Sequence, residues 1–182
     1  MGRKNGMNTL QRLLVLALVL FVGTGVVFAG NTYVGVKKCM ACHKVPSLGG
    51  LAYSVWEKTP HAKAFEVLKT KAADDIAKGK GLTKPAAESP ECLKCHVTGQ
   101  GTAVKEEGVT CEACHGAASG YLMLHNKKTP EDKAKAVAAG LMIGDDAKKA
   151  CEGCHNSGSP TFKGFKFAEM WPKIEHTGPA KK

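Results

Sequence analysis

A short motif of two cysteines and one histidine occurs four times in this chain of 182 residues. Each copy reads C-x-x-C-H, the attachment sequence of c-type haem. Residues i, i+3 and i+4 share one face of a helix, so both thiols can bond one porphyrin while the histidine reaches its iron. The sequence therefore predicts four covalently attached haem c groups. The four copies are Cys39, Cys42 and His43; Cys92, Cys95 and His96; Cys111, Cys114 and His115; and Cys151, Cys154 and His155.

Other uses of paired cysteines explain the pattern less well. Disulfides suit an exported chain, but they do not require a histidine after every pair. Zinc sites use cysteine and histidine too, yet the fixed position of the histidine has no purpose there. A thioredoxin-like redox pair needs one motif in a βαβ setting rather than four. The motifs use all eight cysteines of the chain, which favours haem attachment over each alternative.

The histidines outside the motifs are candidates for the second axial ligands of the irons. They are His61, His125 and His176, so four irons share three spare histidines. Exchange between identical subunits cannot change this ratio, because each chain that lends a histidine must also receive one. The eighth ligand stays open between a methionine, the mature N-terminal amine, water and none. The methionines considered are Met40, Met123, Met142 and Met170.

The elements that must position these histidines are predicted to be helical. Thr59 and Pro60 are typical of a helix start, which predicts a helix from position 60 to 78 with His61 in its first turn. A second helix is predicted to continue from the third motif, over positions 113 to 125. On one helix His125 would lie about 15 Å from the third motif's histidine, so it should serve another haem. His176 follows an apolar stretch and a break at Pro172, and should return to cover the fourth haem.

The predicted fold class is mainly α, a multihaem cytochrome c with short helices and irregular chain packed around four covalent haems. Strand patterns are weak. A further helix is predicted to begin at Thr129-Pro130, with positions 134 to 139 as its body. Aromatic residues make up only 6% of the chain, so porphyrin is expected to replace much of the usual core. The apo chain should accordingly be largely unfolded.

The N-terminus has the pattern of a secretory signal peptide. Basic residues precede the apolar run 13–22, and Val27-Phe28-Ala29 resembles a cleavage site. We therefore expect residues 1–29 to be removed and residues 30–182 to form one tetrahaem domain. The alternative is a retained membrane anchor, although the apolar segment is short and contains two glycines. In either case we expect the haem domain in the periplasm or outside the cell, without membrane contact after cleavage.

The charge of the chain points to protein partners rather than nucleic acid. The formal charge is +10, and loss of three basic residues with the signal leaves +7. Every basic residue of the mature chain is a lysine, whereas arginine makes the bidentate contacts that recognise bases and phosphates. Haem propionates and ferric irons shift the total to about +3, so the lysines act as local patches. We expect redox protein partners, some of them acidic, and self-association is an open alternative.

Several segments resemble the tetrahaem cytochrome c-554 family, and the resemblance covers most of the mature chain. The first motif followed by Trp56 and the sequence TPHAKA at 59–64 resembles that family's first haem and distal-histidine helix. The sequences ECLKCHVTG at 91–99 and GVTCEACHG at 108–116 resemble its second and third haem sites. The sequence FKFAEM at 165–170 ahead of His176 resembles its tail.

The resemblance implies three haems with two histidine ligands and an open iron on His96. It also implies that His125 serves the first haem, His61 the third and His176 the fourth. Among the candidate functions we rank electron carrier first, then subunit of a haem filament or membrane-associated relay. An enzyme that reduces nitric oxide or related nitrogen species at the open haem ranks third, because no clear acid or base partner is evident. Glu91 and Glu112 lie beside motifs but are expected to be solvated.

Overall fold

A computed structural model describes residue 2 and residues 30–48, 50–125 and 129–176. The predicted signal segment 1–29, apart from residue 2, and the final residues 177–182 lie outside this part. Contacts divide the chain into residues 1–30 and residues 31–182, and every described helix lies in the second unit. Within the described residues, no helix combines the length and apolarity that a membrane crossing requires.

The described chain is built from helices, turns and irregular segments, without a β-strand. This confirms the mainly α fold class. The α-helices are α1 Val36–His43, α2 Ala52–Trp56, α3 Ala64–Val67, α4 Lys71–Gly79, α5 Pro90–His96, α6 Cys111–His115, α7 Pro130–Ala138, α8 Asp145–Cys154 and α9 Phe167–Met170. Short 3-10 helices cover Pro60–Lys63, Ala86–Glu88, Ala103–Glu107, Ala118–Gly120 and Trp171–Lys173.

The single helix predicted over positions 60 to 78 is wrong, because three shorter elements occupy this region. The chain forms the 3-10 turn Pro60–Lys63, then α3, and restarts as α4 after an interruption. Thr70 causes the restart: its backbone is extended and its hydroxyl accepts a hydrogen bond from the Ala73 N–H. A threonine side chain that caps a new helix competes with continuation of the old one. His61 nevertheless lies in the first turn, as predicted.

The helix predicted over positions 113 to 125 is also wrong. Helix α6 ends at His115, and its C-cap residue Gly116 has a φ of +83°. A Cβ atom at this position would lie 2.6 Å from the Gly140 carbonyl oxygen, so the close approach of two backbone segments requires glycine. The chain then turns through Ala118–Gly120. His125 therefore reaches its place by a turn of the backbone.

The helix predicted to start at Thr129-Pro130 is confirmed. Helix α7 begins at Pro130, and the Thr129 hydroxyl accepts a hydrogen bond from the Asp132 N–H. An N-cap side chain followed by proline at the first helical position satisfies the free amide groups of a helix start.

The apolar core consists of two small clusters. The larger contains Phe65, Leu68 and Leu93 with smaller side chains, and joins α3 and α4 to α5. The second contains Tyr121 with Ala118 and Ala136, and joins the turn after α6 to α7. Each cluster lies beside a haem motif, and neither is large enough to organise the whole unit.

Candidate functional site

The four C-x-x-C-H motifs occupy four helices or their ends. The first lies at the end of α1, the second at the end of α5, and the third forms the whole of α6. The fourth begins within α8, and its histidine is the residue directly after that helix. All eight cysteines are free thiols. Each pair is therefore chemically available for the thioether bonds that attach a porphyrin.

Each of the three histidines outside the motifs lies against a motif histidine. The ring centroids of His43 and His125 are 6.0 Å apart, with 9° between the ring planes. In the second pair, His61 and His155, the centroids are 6.0 Å apart and the planes meet at 77°. The third pair is His115 and His176, with 5.9 Å between centroids and 67° between planes.

The separation within these pairs fits a metal ion between two imidazoles. Two metal–nitrogen bonds of about 2 Å each, added to the half-widths of the two rings, account for this distance. The values of 5.9 to 6.0 Å recur in three pairs built from different elements. A histidine on either side of a flat tetrapyrrole ring is the ligand set of many c-type haems. The residues present thus suit the haem that the motifs imply.

Backbone hydrogen bonds orient four of the imidazoles for metal binding. A carbonyl oxygen only accepts, so each Nδ1 that contacts one must carry the hydrogen, which leaves the Nε2 lone pair for a metal. The four Nδ1 donors and their acceptors are His96 to Ala64 O at 2.9 Å, His115 to Met142 O at 2.8 Å, His125 to Tyr121 O at 3.1 Å and His176 to Ile174 O at 2.9 Å.

Burial favours the uncharged form of two of the ligand candidates. It lowers the pKa of His61 and, with the same main cause, the pKa of His115. Neutral imidazole is the form that binds a metal. Thr110, directly before the third motif, is buried and its hydroxyl oxygen has no hydrogen-bond partner among the described residues. A buried polar atom left unpaired by the polypeptide calls for a further group at this place.

The histidine pairing agrees with the resemblance in one case and corrects it in two. His125 lies against His43 of the first motif, as implied. His61, expected at the third motif, instead lies against His155 of the fourth, and His176, expected at the fourth, lies against His115 of the third. The path of the tail explains the exchange. Phe165 stacks on His155 with 4.7 Å between ring centroids, so the following residues carry His176 past the fourth motif.

His96 is the seventh histidine and has no histidine opposite it. The three pairs use the other six histidines of the chain. Its ring is nevertheless oriented, because Nδ1 donates to the Ala64 carbonyl in α3. The second motif therefore has one oriented histidine and no second histidine paired with it.

Contacts between motif helices and their thiols place the motifs in a definite order. Helix α6 contacts both α1 and α8, and α8 also contacts α5. Cys39 and Cys111 share a hydrogen bond that raises the pKa of Cys39, and burial beside Cys151 raises the pKa of Cys114. Burial and neighbouring Cys95 raise the pKa of Cys154 to about 11. The spatial order is first, third, fourth and second motif.

Glu112, expected to be solvated, is instead buried, with 2% of its surface exposed. Its Oε1 accepts hydrogen bonds from the N–H groups of Val34 (3.0 Å) and Ala118 (2.8 Å), and its Oε2 accepts one from Gly35 (2.9 Å). No local sequence pattern around Glu112 indicates this burial, because residues far along the chain enclose its side chain. Glu91 is exposed, as expected.

The backbone that carries His61 is fixed from the third motif's side. The Val109 N–H donates to the His61 carbonyl at 3.1 Å, and the Trp56 indole donates to the Val109 carbonyl at 2.8 Å. Gly108 approaches so closely that a Cβ atom there would lie 2.9 Å from the His61 carbonyl oxygen. These contacts hold His61, which lies against the fourth motif, to the segment that leads into the third motif.

This chain is similar to known proteins in sequence and in fold. A family model described as cytochrome c554 and c-prime matches residues 38–116, which include the first three motifs. Cytochrome c-554 of Nitrosomonas europaea is 33% identical over 192 aligned residues, covering 89% of this chain and 75% of that protein. The solved structure of reduced cytochrome c554 from Nitrosomonas europaea has a TM-score of 0.56 and 27% identity, and covers 78% of this chain and 82% of its own.

Proposed function

The chain belongs to the cytochrome c-554 family, and from this membership we propose how its motifs and histidines act together. As a family member it is a multihaem c-type cytochrome of electron transfer. Each haem supplies one-electron chemistry at its iron, and the polypeptide supplies ligands, spacing and surroundings. We propose that all four motifs carry haem c, as the four cysteine pairs and their oriented histidines support.

Three of the four haems have two histidine ligands each, and the haem on the second motif has one. The proposed pairs are His43 with His125, His61 with His155 and His115 with His176. The repeated separation of about 6 Å between their ring centroids is the observation that carries this assignment. His96 holds the remaining iron from one side alone. Electron paramagnetic resonance of the oxidised protein tests this: about one quarter of the iron should be high-spin. A spectrum with only low-spin iron would contradict it.

The order of the motifs gives the route along which the chain conducts electrons. The helices of the first and third motifs contact each other, as do those of the third and fourth and those of the fourth and second. The first and second motifs thus lie at opposite ends of the row. We assign the entry and exit of electrons to these two ends.

Docking to an acidic redox partner at the first motif is the proposed interaction. Lys37 and Lys38 precede Cys39 on α1, both are exposed, and the structure gives neither an ion pair within its described part. Unpaired surface charges accelerate encounter with a partner of opposite sign. We propose that this takes place outside the cytoplasm.

The docking proposal is tested with a double variant, Lys37→Glu and Lys38→Glu. The rate of reduction by an acidic donor protein should fall at low salt, and the remaining rate should depend less on salt. Lys135→Glu on α7 is the matched control, since this lysine is exposed and belongs to no motif. Equal rates for the wild type and the double variant at every salt concentration would refute the proposal.

A second candidate function rests on His96 alone. An iron without a ligand opposite this histidine can bind a small molecule, and we name reduction of nitric oxide as the activity to examine. Addition of nitric oxide to the oxidised protein should abolish the high-spin signal. Reduction of two nitric oxide molecules to nitrous oxide and water takes two electrons and two protons, so with a chemical reductant in excess as electron source the gas should be consumed steadily. Binding without consumption would leave electron transfer as the function.

A further inference from the structure

The most unusual charge in the described chain is the buried carboxylate of Glu112. It is the second residue of the third motif, between Cys111 and Cys114. Both of its oxygens accept hydrogen bonds from backbone N–H groups, those of Val34, Gly35 and Ala118. The structure gives it no lysine or histidine partner among the described residues. A full negative charge is thus held by dipoles alone.

This carboxylate lies between the first and the third motif. Gly35 is the N-cap residue of α1, the helix that carries Cys39, Cys42 and His43. Its N–H donates to Glu112 at 2.9 Å, so the carboxylate faces the start of the first motif's helix from within the third motif. Glu107 adds a second carboxylate at the same helix end, because it accepts the Val36 N–H at 2.7 Å.

A buried charge at this place would act on an iron held at either motif. Reduction of a haem adds one electron and changes ferric iron to ferrous, which removes one positive charge. A nearby negative charge in a low-dielectric interior stabilises the ferric form more than the ferrous form. The backbone dipoles that hold Glu112 offset part of this effect, but they do not neutralise the charge.

We propose that Glu112 tunes the two adjacent redox centres, holding the reduction potentials of the haems on His43 and His115 below the values they would have without it. This inference rests on the proposed function, because it requires haem at the first and third motifs. Glu112 is a positioning and tuning residue that touches no reacting atom. Glu107, which is only half-buried, contributes in the same direction at the first motif.

The test is a redox titration of the four-haem protein, followed by absorbance, with dithionite as reductant. In Glu112→Gln two of the four one-electron steps should move to higher potential and two should stay. Glu131→Gln, an exposed residue in the first turn of α7, is the matched control and should move none. Glu112→Asp keeps the charge and should leave the potentials near those of the wild type.

The outcomes separate the possible failures. Unmoved potentials in a fully loaded Glu112→Gln protein would overturn the inference, as would equal shifts in Glu112→Asp, which would indicate a structural effect. If Glu112→Gln does not accumulate, Glu107→Gln decides: a rise confined to the first haem supports tuning by carboxylates, and no rise refutes it. Fewer than four haems in the wild type, by absorbance and mass, would instead contradict the proposed function.

Discussion

The imidazole planes of His43 and His125 are nearly parallel, at 9° to each other. The other two histidine pairs are far from parallel, at 77° and 67°. The difference has a local origin. The Nδ1 of His125 donates to the Tyr121 carbonyl, four residues earlier in the same turn, and the ring of Tyr121 packs on its edge. Backbone geometry around the second core cluster therefore sets the angle between these ligand planes.

The first prediction concerns the magnetic signals of the three haems with paired histidines. Parallel imidazole planes separate the energies of the two iron d orbitals that interact with the ligand π systems. Nearly perpendicular planes leave these two orbitals close in energy. We expect one rhombic low-spin signal, from the His43 pair, and two strongly axial ones. Electron paramagnetic resonance of the oxidised protein checks this. Three signals of the same rhombicity would contradict the ring angles.

The second prediction tests the exchange of His61 and His176. His61→Ala should convert the haem on His155 to high spin, which raises the high-spin fraction from about one quarter to about one half. In a variant that lacks the fourth attachment site, Cys151→Ala with Cys154→Ala, the same substitution should add no further high-spin iron. His176→Ala in that background is the control and should still add one such iron. The opposite result would restore the pairing implied by the family resemblance.

The third prediction concerns Gly108. Its φ is +76° and its ψ is −149°, a conformation open almost only to glycine. Gly108→Ala should destabilise the protein by about 1–3 kcal/mol and should also displace the His61 carbonyl. Thermal unfolding and the signal of the haem on His155 report these two effects. Gly79→Ala, in a helix where a Cβ meets no neighbour, should be neutral or stabilising. Equal behaviour of the two variants would be evidence against strain at Gly108.

The sequence predicted local chemistry well and long-range pairing poorly. The motif helices and the α7 cap could be predicted from the sequence because a few consecutive residues determine them. Glu112 was misjudged because its environment is made by the segment at Val34 and by Ala118, and no local pattern records such contacts. The two incorrect helices failed at Thr70 and Gly116, where a hydroxyl cap and a close backbone approach override the apolar periodicity.

Histidine ligands show the same limit. That His61, His125 and His176 would each meet a motif histidine followed from counting, but which motif each one meets depends on how the intervening chain folds. For His176 the deciding contact is the stack of Phe165 on His155, between two residues ten positions apart. Aromatic residues in a tail predict burial, without indicating which ring they cover.

The fourth prediction concerns the start of α7. The Thr129 hydroxyl accepts the Asp132 N–H at 3.1 Å, so Thr129→Ala removes an N-cap and should cost about 1 kcal/mol. Because Ala136 of this helix packs against Tyr121, the loss should lower the midpoint of thermal unfolding of the whole protein rather than only fray the helix. Thr129→Ser keeps the cap and serves as control. A serine variant as unstable as the alanine variant would exclude the cap as the cause.

The fifth prediction is that haem and fold are inseparable. In the described part only ten hydrophobic side chains are buried, and four of them are alanines. Such a core is small for a unit of this length, since a domain must bury much of its apolar surface to offset the entropy lost on folding. Residues 30–182 produced where haem cannot be attached should therefore show little helix in circular dichroism and no cooperative unfolding. The four-haem protein is the control and should unfold in one sharp transition, because its cofactors supply the missing apolar surface. A cooperative melt of the haem-free chain would show that the two small clusters suffice to hold the fold.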